Sequence, residues 1–346
     1  MRPGPNSMPG DRLDARAFRL VADVGGTNSR IGLCRDDALL GDTVRRYPNA
    51  GFRDFGDVIA AYRAEMPARD CGSAVISVAG PVEAGRASMT NLGWQFDEAG
   101  LSGQTGIAHV HLVNDLQAQG YAIEGLSPSD VRRIVDGAGA PVKWPVLVVG
   151  IGTGLNTTVV HDTPCGLFAT ASESGHVRLC SNRPELAALA DATGFVSVED
   201  AVSGRGLSRL HAALHGLPEA TSPAGKEIVA AALDSDSRAA GTMRVFLELL
   251  GNYVGDLALI HLPFGGIYIS GGVGRAILPL IDASGFEAAF CDKGRFQNLM
   301  RRFPVGVLLD DDAALKGAGR ASLGFGQMEP ARSGPSPLSG VATALR

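Results

Sequence analysis

The stretch VADVGGTNSRIGLC, residues 21–34, decides the fold, because an apolar strand there runs into a glycine-rich turn and a second apolar strand follows. A second stretch, VVGIGTGLNTTVVH at residues 148–161, has the same layout, with Gly152 opposite Gly25. Two apolar runs around a glycine turn are typical of a β-hairpin. The pair predicts a duplicated unit with a cleft between its copies. Coincidental similarity of two glycine-rich hairpins is the alternative.

Composition around these hairpins excludes several classes of protein. The chain has 346 residues, of which 45% are hydrophobic and 19% charged, so it can bury substantial cores. At about 150 residues per domain, this length predicts two domains. The formal net charge is -5 and no basic tract occurs. We therefore expect neither a nucleic-acid partner nor an anionic membrane surface.

Cysteine usage and hydropathy indicate a cytoplasmic protein. The five cysteines are widely spaced and form no Cys-x-x-Cys motif, so neither a disulfide framework nor a zinc ribbon is indicated. The longest uncharged run, residues 257–274, contains a proline and five glycines and is too weakly apolar for a membrane span. Residues 1–17 lack the apolar core of a secretion signal. We predict flexible tails at 1–17 and 326–346.

Alternating apolar and helical patterns predict an α/β class with mixed sheets. The expected strands are 18–23, 30–34, 43–47, 74–79, 110–113, 146–149, 157–160, 267–270 and 305–309. The expected helices are 54–65, one from 116 onward, 185–192, 204–215, 225–233, 238–261, one opening near 275, and 313–323.

The glycine turns indicate phosphate binding without a lysine loop. Only four residues are lysine, and none completes Gly-x-x-x-x-Gly-Lys-Ser/Thr. Asp23 beside the turn at 25–28 offers a carboxylate, backbone N–H groups and a hydroxyl, a combination that suits a Mg²⁺-phosphate. The turn at 152–154 makes the same offer, although each turn could be a plain hairpin. Gly271 and Gly272 could admit a nucleotide against bare backbone, with simple packing as the alternative.

Two other polar groups follow strands, where ligands of α/β sheets bind. Asp115, next to Asn114, is the candidate general base for a hydroxyl that attacks phosphorus. The alternative is that Asp115 caps the following helix.

A third set supplies acceptors and a donor for a polyhydroxylated ligand: Glu173, His176 and Glu199. The alternatives are a core His176, a helix-start Glu199 beside Ser197, and half a zinc site, for which no matching ligand pair occurs. Asn91 and Trp94 could form a sugar-facing edge, with Trp94 equally suited to the core.

The ordered set of motifs resembles the bacterial glucokinases, hexokinase-type members of the sugar kinase and actin-like ATPase superfamily. The motifs are VADVGGTNSRIGL, SVAGPV, MTNLGW, LVNDLQA, GIGTGLN, ESGHV, EDAVSGRGL and ISGGVG, spread over residues 18–323. The resemblance implies a two-domain actin-like (ribonuclease H-like) ATPase fold with mixed sheets and an interdomain cleft. We expect a small α/β domain at 18–125 plus 313–325 and a large one at 126–312.

The resemblance also implies roles for individual residues. Asp115 would be the catalytic base, and the sugar ligands would be Asn91, Asn114, Asp115, Glu173, His176 and Glu199. The ATP-binding residues would be Ala22, Asp23, Val24, Gly25, Gly26, Thr27, Gly152, Thr153, Gly154, Gly271 and Gly272. Mg²⁺ would accompany ATP, and the family is typically homodimeric.

We therefore predict an ATP-dependent kinase for the 6-hydroxyl of glucose. The alternatives are a kinase for another hexose or amino sugar, a sugar-responsive regulator, and an actin-like ATPase that needs no sugar. Ser174 departs from the family, which usually has Gly-Gly between the glutamate and the histidine of the sugar motif, and this leaves the preferred sugar open.

Overall fold

The structure is a computed structural model that describes residues 18–66, 70–89, 92–138, 142–179, 184–281 and 285–321. Both predicted tails and Asn91 lie outside the described residues.

Strands and helices alternate along most of the chain. The strands are β1 (Phe18–Val24), β2 (Asn28–Arg35), β3 (Ala38–Pro48), β4 (Cys71–Val78), β5 (Val82–Glu83), β6 (Arg86–Met89), β7 (Trp94–Asp97), β8 (His109–Asn114), β9 (Val131–Val135), β10 (Val146–Ile151), β11 (Leu155–Thr163), β12 (Gly166–Ala169), β13 (Gly266–Ser270) and β14 (Val305–Leu308). The helices are α1 (Phe55–Glu65), α2 (Glu98–Thr105), α3 (Asp115–Ala122), α4 (Pro184–Thr193), α5 (Val198–Ala201), α6 (Gly204–His215), α7 (Gly225–Leu233), α8 (Ser237–His261), α9 (Gly271–Ala276), α10 (Leu278–Ile281), α11 (Phe286–Cys291), α12 (Gln297–Met300) and α13 (Ala313–Arg320).

The two large sheets repeat one topology. The first has the strand order β3-β2-β1-β4-β8 and the second β12-β11-β10-β13-β14-β9. In each sheet an antiparallel hairpin, β1–β2 or β10–β11, is followed by parallel strands. The first strand of each hairpin ends at Val24 or Ile151, just before its glycine turn. The arrangement of hairpin and parallel strands therefore repeats in the two sheets, as the two similar sequence stretches predict.

Parallel register brings the polar strand ends to one edge of the first sheet. Val24 pairs with Val78, and Val78 pairs with Asn114, so β1, β4 and β8 all end at the same level. In the second sheet β10 and β13 also end together, with Gly150 opposite Ser270. The carboxyl ends of parallel strands are where α/β proteins bind ligands.

Helices α3 and α13 join the two sheets through a shared apolar cluster. It combines residues of the first sheet such as Val21, residues of the second such as Val160, and Leu315 of α13, all fully buried. Burial of this apolar surface is the main force that holds the sheets together. Helix α13 packs on β1–β4 and on α3, although it follows the last strand of the second sheet.

Local capping signals explain several helix starts. The Asp54 carboxylate accepts from the backbone N–H of Asp57 at the start of α1, and Ser203 accepts from Gly206 at the start of α6. Such caps satisfy backbone donors that have no partner within the helix. Helices α6 and α7 have the bounds that the sequence predicts.

The structure departs from the expected elements at the start of α9 and contains further elements that are not expected from the sequence, among them β9, β12 and α2. The helix expected to open near Arg275 begins at Gly271 instead, directly after β13. Gly271 has a φ of +89° and a Cβ there would collide with the carbonyl oxygen of Ile151, so this glycine allows the sharp turn from strand to helix. A small antiparallel sheet, β5-β6-β7, is not anticipated either. Its strands are only two to four residues long, shorter than the runs from which strands are predicted.

None of the helices in the described part of the chain is both long and apolar enough to cross a membrane.

We predict that Gly317→Ala lowers the free energy of unfolding by about 1–3 kcal/mol, the usual cost of overpacking. A Cβ at Gly317 would collide with the carbonyl oxygen of Ala118 and lie 2.9 Å from the backbone nitrogen of Ala122, so α13 would have to move away from α3. The matched control is Gly241→Ala in α8, where nothing lies within 4 Å of an added Cβ. Urea unfolding of both variants measures the difference, and equal stabilities would contradict the expected clash.

Candidate active site

The first glycine turn is held by one buried asparagine. The Gly25 N–H donates to the Asn28 carbonyl at 3.0 Å, and the Asn49 Nδ2 donates to the Gly25 carbonyl at 2.8 Å. Asn49 is buried and its backbone N–H also donates to the carbonyl of Thr27 at 2.9 Å. Gly26 and Thr27 are exposed, so the turn offers its backbone and one hydroxyl to a ligand. The side chains of Ala22 and Val24 are fully buried and pack in the core.

The second glycine turn is closed over a shorter span than the first and has tighter surroundings. The Gly152 N–H donates to the Gly154 carbonyl at 2.9 Å, and the Gly204 N–H donates to the Gly152 carbonyl at 2.8 Å. A Cβ at Gly154 would lie 2.6 Å from Oε2 of Glu199. The turn at 152–154 therefore lies in direct contact with one of the residues expected to bind sugar.

Asp23 is fixed by two neighbours that the sequence analysis does not single out. Its Oδ2 accepts from Nη2 of Arg30 at 2.7 Å, and its Oδ1 accepts from the Ser77 hydroxyl at 3.1 Å. Arg30 also reaches Asp312, with Nη1 3.2 Å from the Asp312 Oδ1. Asp23 pairs with Ser77 in the sheet register, so the polar contact follows from adjacent parallel strands.

Asp115 is the first residue of α3, and Asn114 is the residue that caps this helix. The Asn114 Oδ1 accepts from the Leu116 N–H at 2.9 Å, so the cap of α3 is supplied by Asn114 and not by Asp115. Burial and, second to it, the negative charge of Asp23 together raise the pKa of Asp115 to about 6. Hydrogen bonds from Leu116 and Asn114 oppose this rise. A carboxylate with such a pKa is a stronger base than ordinary aspartate.

Gln117 links the start of α3 to the second sheet. Its Oε1 accepts from the Asn114 N–H at 3.1 Å, and its Nε2 donates to the carbonyl of Ala169 at 2.8 Å. The Asn114 Nδ2 donates to the carbonyl of Gly80 at 2.9 Å. These contacts fix the backbone on both sides of Asp115.

Glu199 lies in α5 with its carboxylate pointing at the second glycine turn. Its Oε2 accepts from the Leu155 N–H at 2.8 Å, and its Oε1 lies 3.1 Å from Nη2 of Arg205. Asp200, the next residue, completes the capping box with Ser197, so Glu199 is not required for the cap. The Glu199 side chain is 18% exposed, which leaves part of it open to a ligand.

Glu173 precedes a short 3₁₀ helix, Ser174–His176, and His176 is its last residue; both side chains are exposed, so His176 is not a core residue. Between them Ser174 points inward: its hydroxyl accepts from Tyr253 at 2.9 Å and lies 2.6 Å from the Thr157 hydroxyl. A Cβ at Gly175 would collide with the carbonyl oxygen of Leu155. Ser174 therefore replaces the first glycine of the family's Gly-Gly pair, which is the position with room for a side chain.

The remaining predicted positions divide between cleft and core. Gly272 has nothing within 4 Å of an added Cβ, so its backbone borders open space at the start of α9. Trp94 is buried and packs on Phe55 and Phe96 in the first core.

The acidic pair of the cleft fits a hydrated cation better than a metal held only by protein. Among the described residues no group of three or more histidine, cysteine or acidic side chains is placed to hold a metal ion. Asp23 and Asp115 are close enough for the charge of one to raise the pKa of the other. Mg²⁺ keeps several waters and binds through one or two carboxylates plus phosphate oxygens, which matches this donor set.

Comparison with known proteins decides the family. The glucokinase family model matches residues 20–323. The glucokinase of Yersinia pestis (strain Pestoides F) is 35% identical over 322 residues, covering 89% of this chain and 98% of the relative. The chain belongs to the glucokinase family. It is accordingly an ATP:glucose 6-phosphotransferase, and the sequence resemblance is confirmed.

Solved structures confirm the actin-like fold of this glucokinase family member. The crystal structure of a glucokinase from an Antarctic psychrotroph superposes with a TM-score of 0.78 at 27% identity, covering 88% of this chain and 98% of the other. A ROK family glucokinase from Streptomyces griseus, solved in complex with glucose and AMPPNP, superposes with a TM-score of 0.58 at 23% identity, covering 88% and 98%.

Several residues that shape this glucokinase site are not assigned a role from the sequence alone. Asn49, Ser77, Gln117 and Tyr253 act through contacts with residues 24 to 79 positions away or across sheets. Ser77, Gln117 and Arg205 lie within the motifs SVAGPV, LVNDLQA and EDAVSGRGL, whereas Asn49 and Tyr253 lie outside the motif set.

We predict that Asp115→Asn stabilises the ligand-free protein at neutral pH. The folded-state pKa is raised above the unfolded value, so the wild type loses stability as pH rises from about 4 to about 6, while the amide does not. The gain at pH 7.5 should be roughly 1–3 kcal/mol and should narrow as pH falls from 6 towards 4.

Thermal unfolding at several pH values, without nucleotide or Mg²⁺, measures this gain. Asp162→Asn, at an exposed position of β11, is the control and should show no such pH-dependent gain. A lower unfolding temperature for Asp115→Asn at pH 7.5 would contradict the expected sign.

Proposed function

We propose that this chain phosphorylates the 6-hydroxyl of glucose with Asp115 as the general base. The observation that carries the assignment is the position of Asp115, directly after β8 and within electrostatic reach of Asp23 near the end of β1. With a pKa of about 6 the group is ionised at neutral pH and still accepts a proton readily. Such a value is suited to general-base catalysis near pH 7.

The transfer needs one proton movement and one displacement at phosphorus. As the sugar 6-oxygen attacks the γ-phosphorus in line, its proton passes to a carboxylate oxygen of Asp115, and the β-phosphate oxygen of ADP leaves. The N–H groups of Gly26 and Thr27 and those of Thr153 and Gly154 would face the charge on the phosphates, because the N–H groups of Gly25 and Gly152 close their own turns. Mg²⁺, when bound near Asp23, neutralises part of the phosphate charge.

The sugar hydroxyls are assigned to acceptors and donors along the cleft. Glu173 and His176 are exposed, and Glu199 is partly exposed, so each has an open polar atom for a hydroxyl. Asn114, whose amide donates to Gly80 and whose oxygen caps α3, is assigned to the sugar set on the strength of its motif. Asn91 completes the proposed sugar set, on the strength of its motif. The Streptomyces griseus glucokinase, which binds glucose and AMPPNP in its crystal structure, supports this pair of ligands.

The nucleotide is assigned to the edge of the second sheet. Gly271 and Gly272 at the start of α9 leave bare backbone beside the turn at 152–154, where adenosine would lie. Asp23 would hold Mg²⁺ through water, since both of its oxygens already accept a hydrogen bond.

The larger-scale organisation belongs to the same proposal. The two sheets, with boundaries at 18–125 plus 313–325 and 126–312, would move as domains that close on glucose and exclude water from the phosphoryl group. A homodimer and a cytoplasmic location complete the assignment.

A panel of sugars in an ADP-release assay tests the substrate. We expect turnover with glucose well above that with mannose, fructose and glucosamine, and only a trace of ADP without sugar, because water is a poor substitute for a positioned hydroxyl. Highest turnover with another hexose would favour the alternative kinase. Equal ADP release without sugar would indicate an actin-like ATPase.

We predict that Asp115→Asn lowers kcat by about 10²–10⁴-fold, the usual contribution of a general base. Glucose affinity, measured by calorimetry without nucleotide, should change little, because the amide keeps the shape and the acceptor oxygen of the carboxyl group. Retained turnover in a correctly folded variant would eliminate Asp115 as the base.

A further inference from the structure

The start of α6 lies against both the second glycine turn and the proposed sugar site. The Gly204 N–H donates to the Gly152 carbonyl at 2.8 Å, and an added Cβ at Gly204 would lie 2.9 Å from that oxygen. The Ser203 hydroxyl caps the helix by accepting from the Gly206 N–H at 2.9 Å. The backbone of Arg205, the second residue of the helix, is therefore fixed beside the turn at 152–154.

The Arg205 guanidinium already bridges the two subsites. Its Nη2 lies 3.1 Å from Oε1 of Glu199, and its Nε lies 3.4 Å from the carbonyl oxygen of Thr153 in the glycine turn. A guanidinium has five N–H donors, so these two contacts leave three for a ligand. The side chain is 69% exposed and can adjust to one.

The space beside Arg205 accommodates a ligand. The residue lies on the wall of an open cavity of about 490 Å³ that Glu199, Ser203 and Ser208 also line. Arg209, one turn further along α6, borders the same cavity but is held by Asp200 at 2.7 Å and by Glu219 at 3.3 Å. The two arginines of this wall therefore differ, because Arg205 is the less neutralised.

Three of the four lysines lie in ion pairs with acidic side chains, and the fourth, Lys226 in α7, is exposed, so much of the phosphate charge is left to other groups. Lys143 pairs with Glu124, Lys293 with Asp256 and Lys316 with Asp310. Arg30, near the first turn, is held by Asp23 and Asp312. A polyanionic donor in this cleft gains most from a mobile guanidinium, which binds phosphate oxygens through two parallel N–H groups.

We propose that Arg205 binds the phosphate chain of the ATP that lies on the turn at 152–154, through the N–H groups that Glu199 and Thr153 leave free. This proposal rests on the proposed function, since it assumes that the turn at 152–154 binds the phosphates of ATP. Arg205 then binds ATP, and its role differs from that of Glu199, which is assigned to the sugar.

Three variants test the proposal: Arg205→Gln, Arg205→Lys and the matched control Arg209→Gln. Binding of the probe Mg-AMPPNP and, separately, of glucose is measured by calorimetry, with thermal unfolding as a check on folding. For Arg205→Gln we expect the AMPPNP Kd to rise about 10- to 100-fold, the effect of losing charge-assisted hydrogen bonds, and the glucose Kd to stay within about threefold. Arg205→Lys should fall between, because it keeps the charge without the planar fork.

Two outcomes would overturn the proposal. An unchanged AMPPNP Kd with a raised glucose Kd would mean that Arg205 acts only by holding Glu199, and an equal loss of AMPPNP affinity in Arg209→Gln would point to a general effect on α6. If Arg205→Gln does not fold, an AMPPNP Kd of wild-type size in Arg205→Lys likewise overturns the planar-fork contact. Absence of glucose turnover in the wild type would refute the proposed function alone, since the AMPPNP titrations still decide the role of Arg205.

Discussion

The electrostatic repulsion between two neighbouring carboxyl groups, Asp23 and Asp115, determines which ligands this edge of the first sheet favours. Their proximity follows from the parallel register of β1, β4 and β8, which ends the three strands at the same level. Burial and the charge of Asp23 keep the pKa of Asp115 at about 6. Arg30 and Ser77 hold Asp23 in one orientation, so the repulsion is not relieved by rotation of its side chain. The cleft therefore favours ligands that bring a cation or donate a proton.

The second copy of the hairpin meets a different constraint, which is crowding. At three glycines an added Cβ would meet a neighbouring element: Gly154 meets Glu199, Gly204 meets the Gly152 carbonyl, and Gly271 meets the Ile151 carbonyl. The absence of side chains lets β10, α5, α6 and α9 converge on one turn. Glycine here serves packing and ligand access together, which the sequence alone presents as alternatives. Only Gly152 and Gly272 face open space among the predicted glycines of this copy.

Sequence predicts this fold well wherever the signal is local. The hairpins have apolar runs beside glycine, and α6 and α7 have periodic apolar faces with clear ends, so their bounds agree with the structure. Prediction of the start of α9 is wrong because its first residue is a left-handed glycine that the pattern assigns to a loop. The contacts between distant residues that orient the site could not be predicted from the sequence. Tyr253 and Ser174 are 79 residues apart, and only the packing of α8 under the sugar motif brings them together.

That contact bears on how the site selects its sugar. Ser174 replaces a glycine of the family motif, and a side chain there could have narrowed the pocket or displaced His176. Instead its hydroxyl is engaged by Tyr253 and Thr157 on the side away from solvent, while Gly175 keeps the close approach to Leu155 that a Cβ would prevent. The substitution therefore adds anchoring to the 3₁₀ turn that carries Glu173 and His176. Discrimination between hexoses then depends on the hydroxyl partners themselves, because a buried donor or acceptor left unpaired by the wrong sugar is costly.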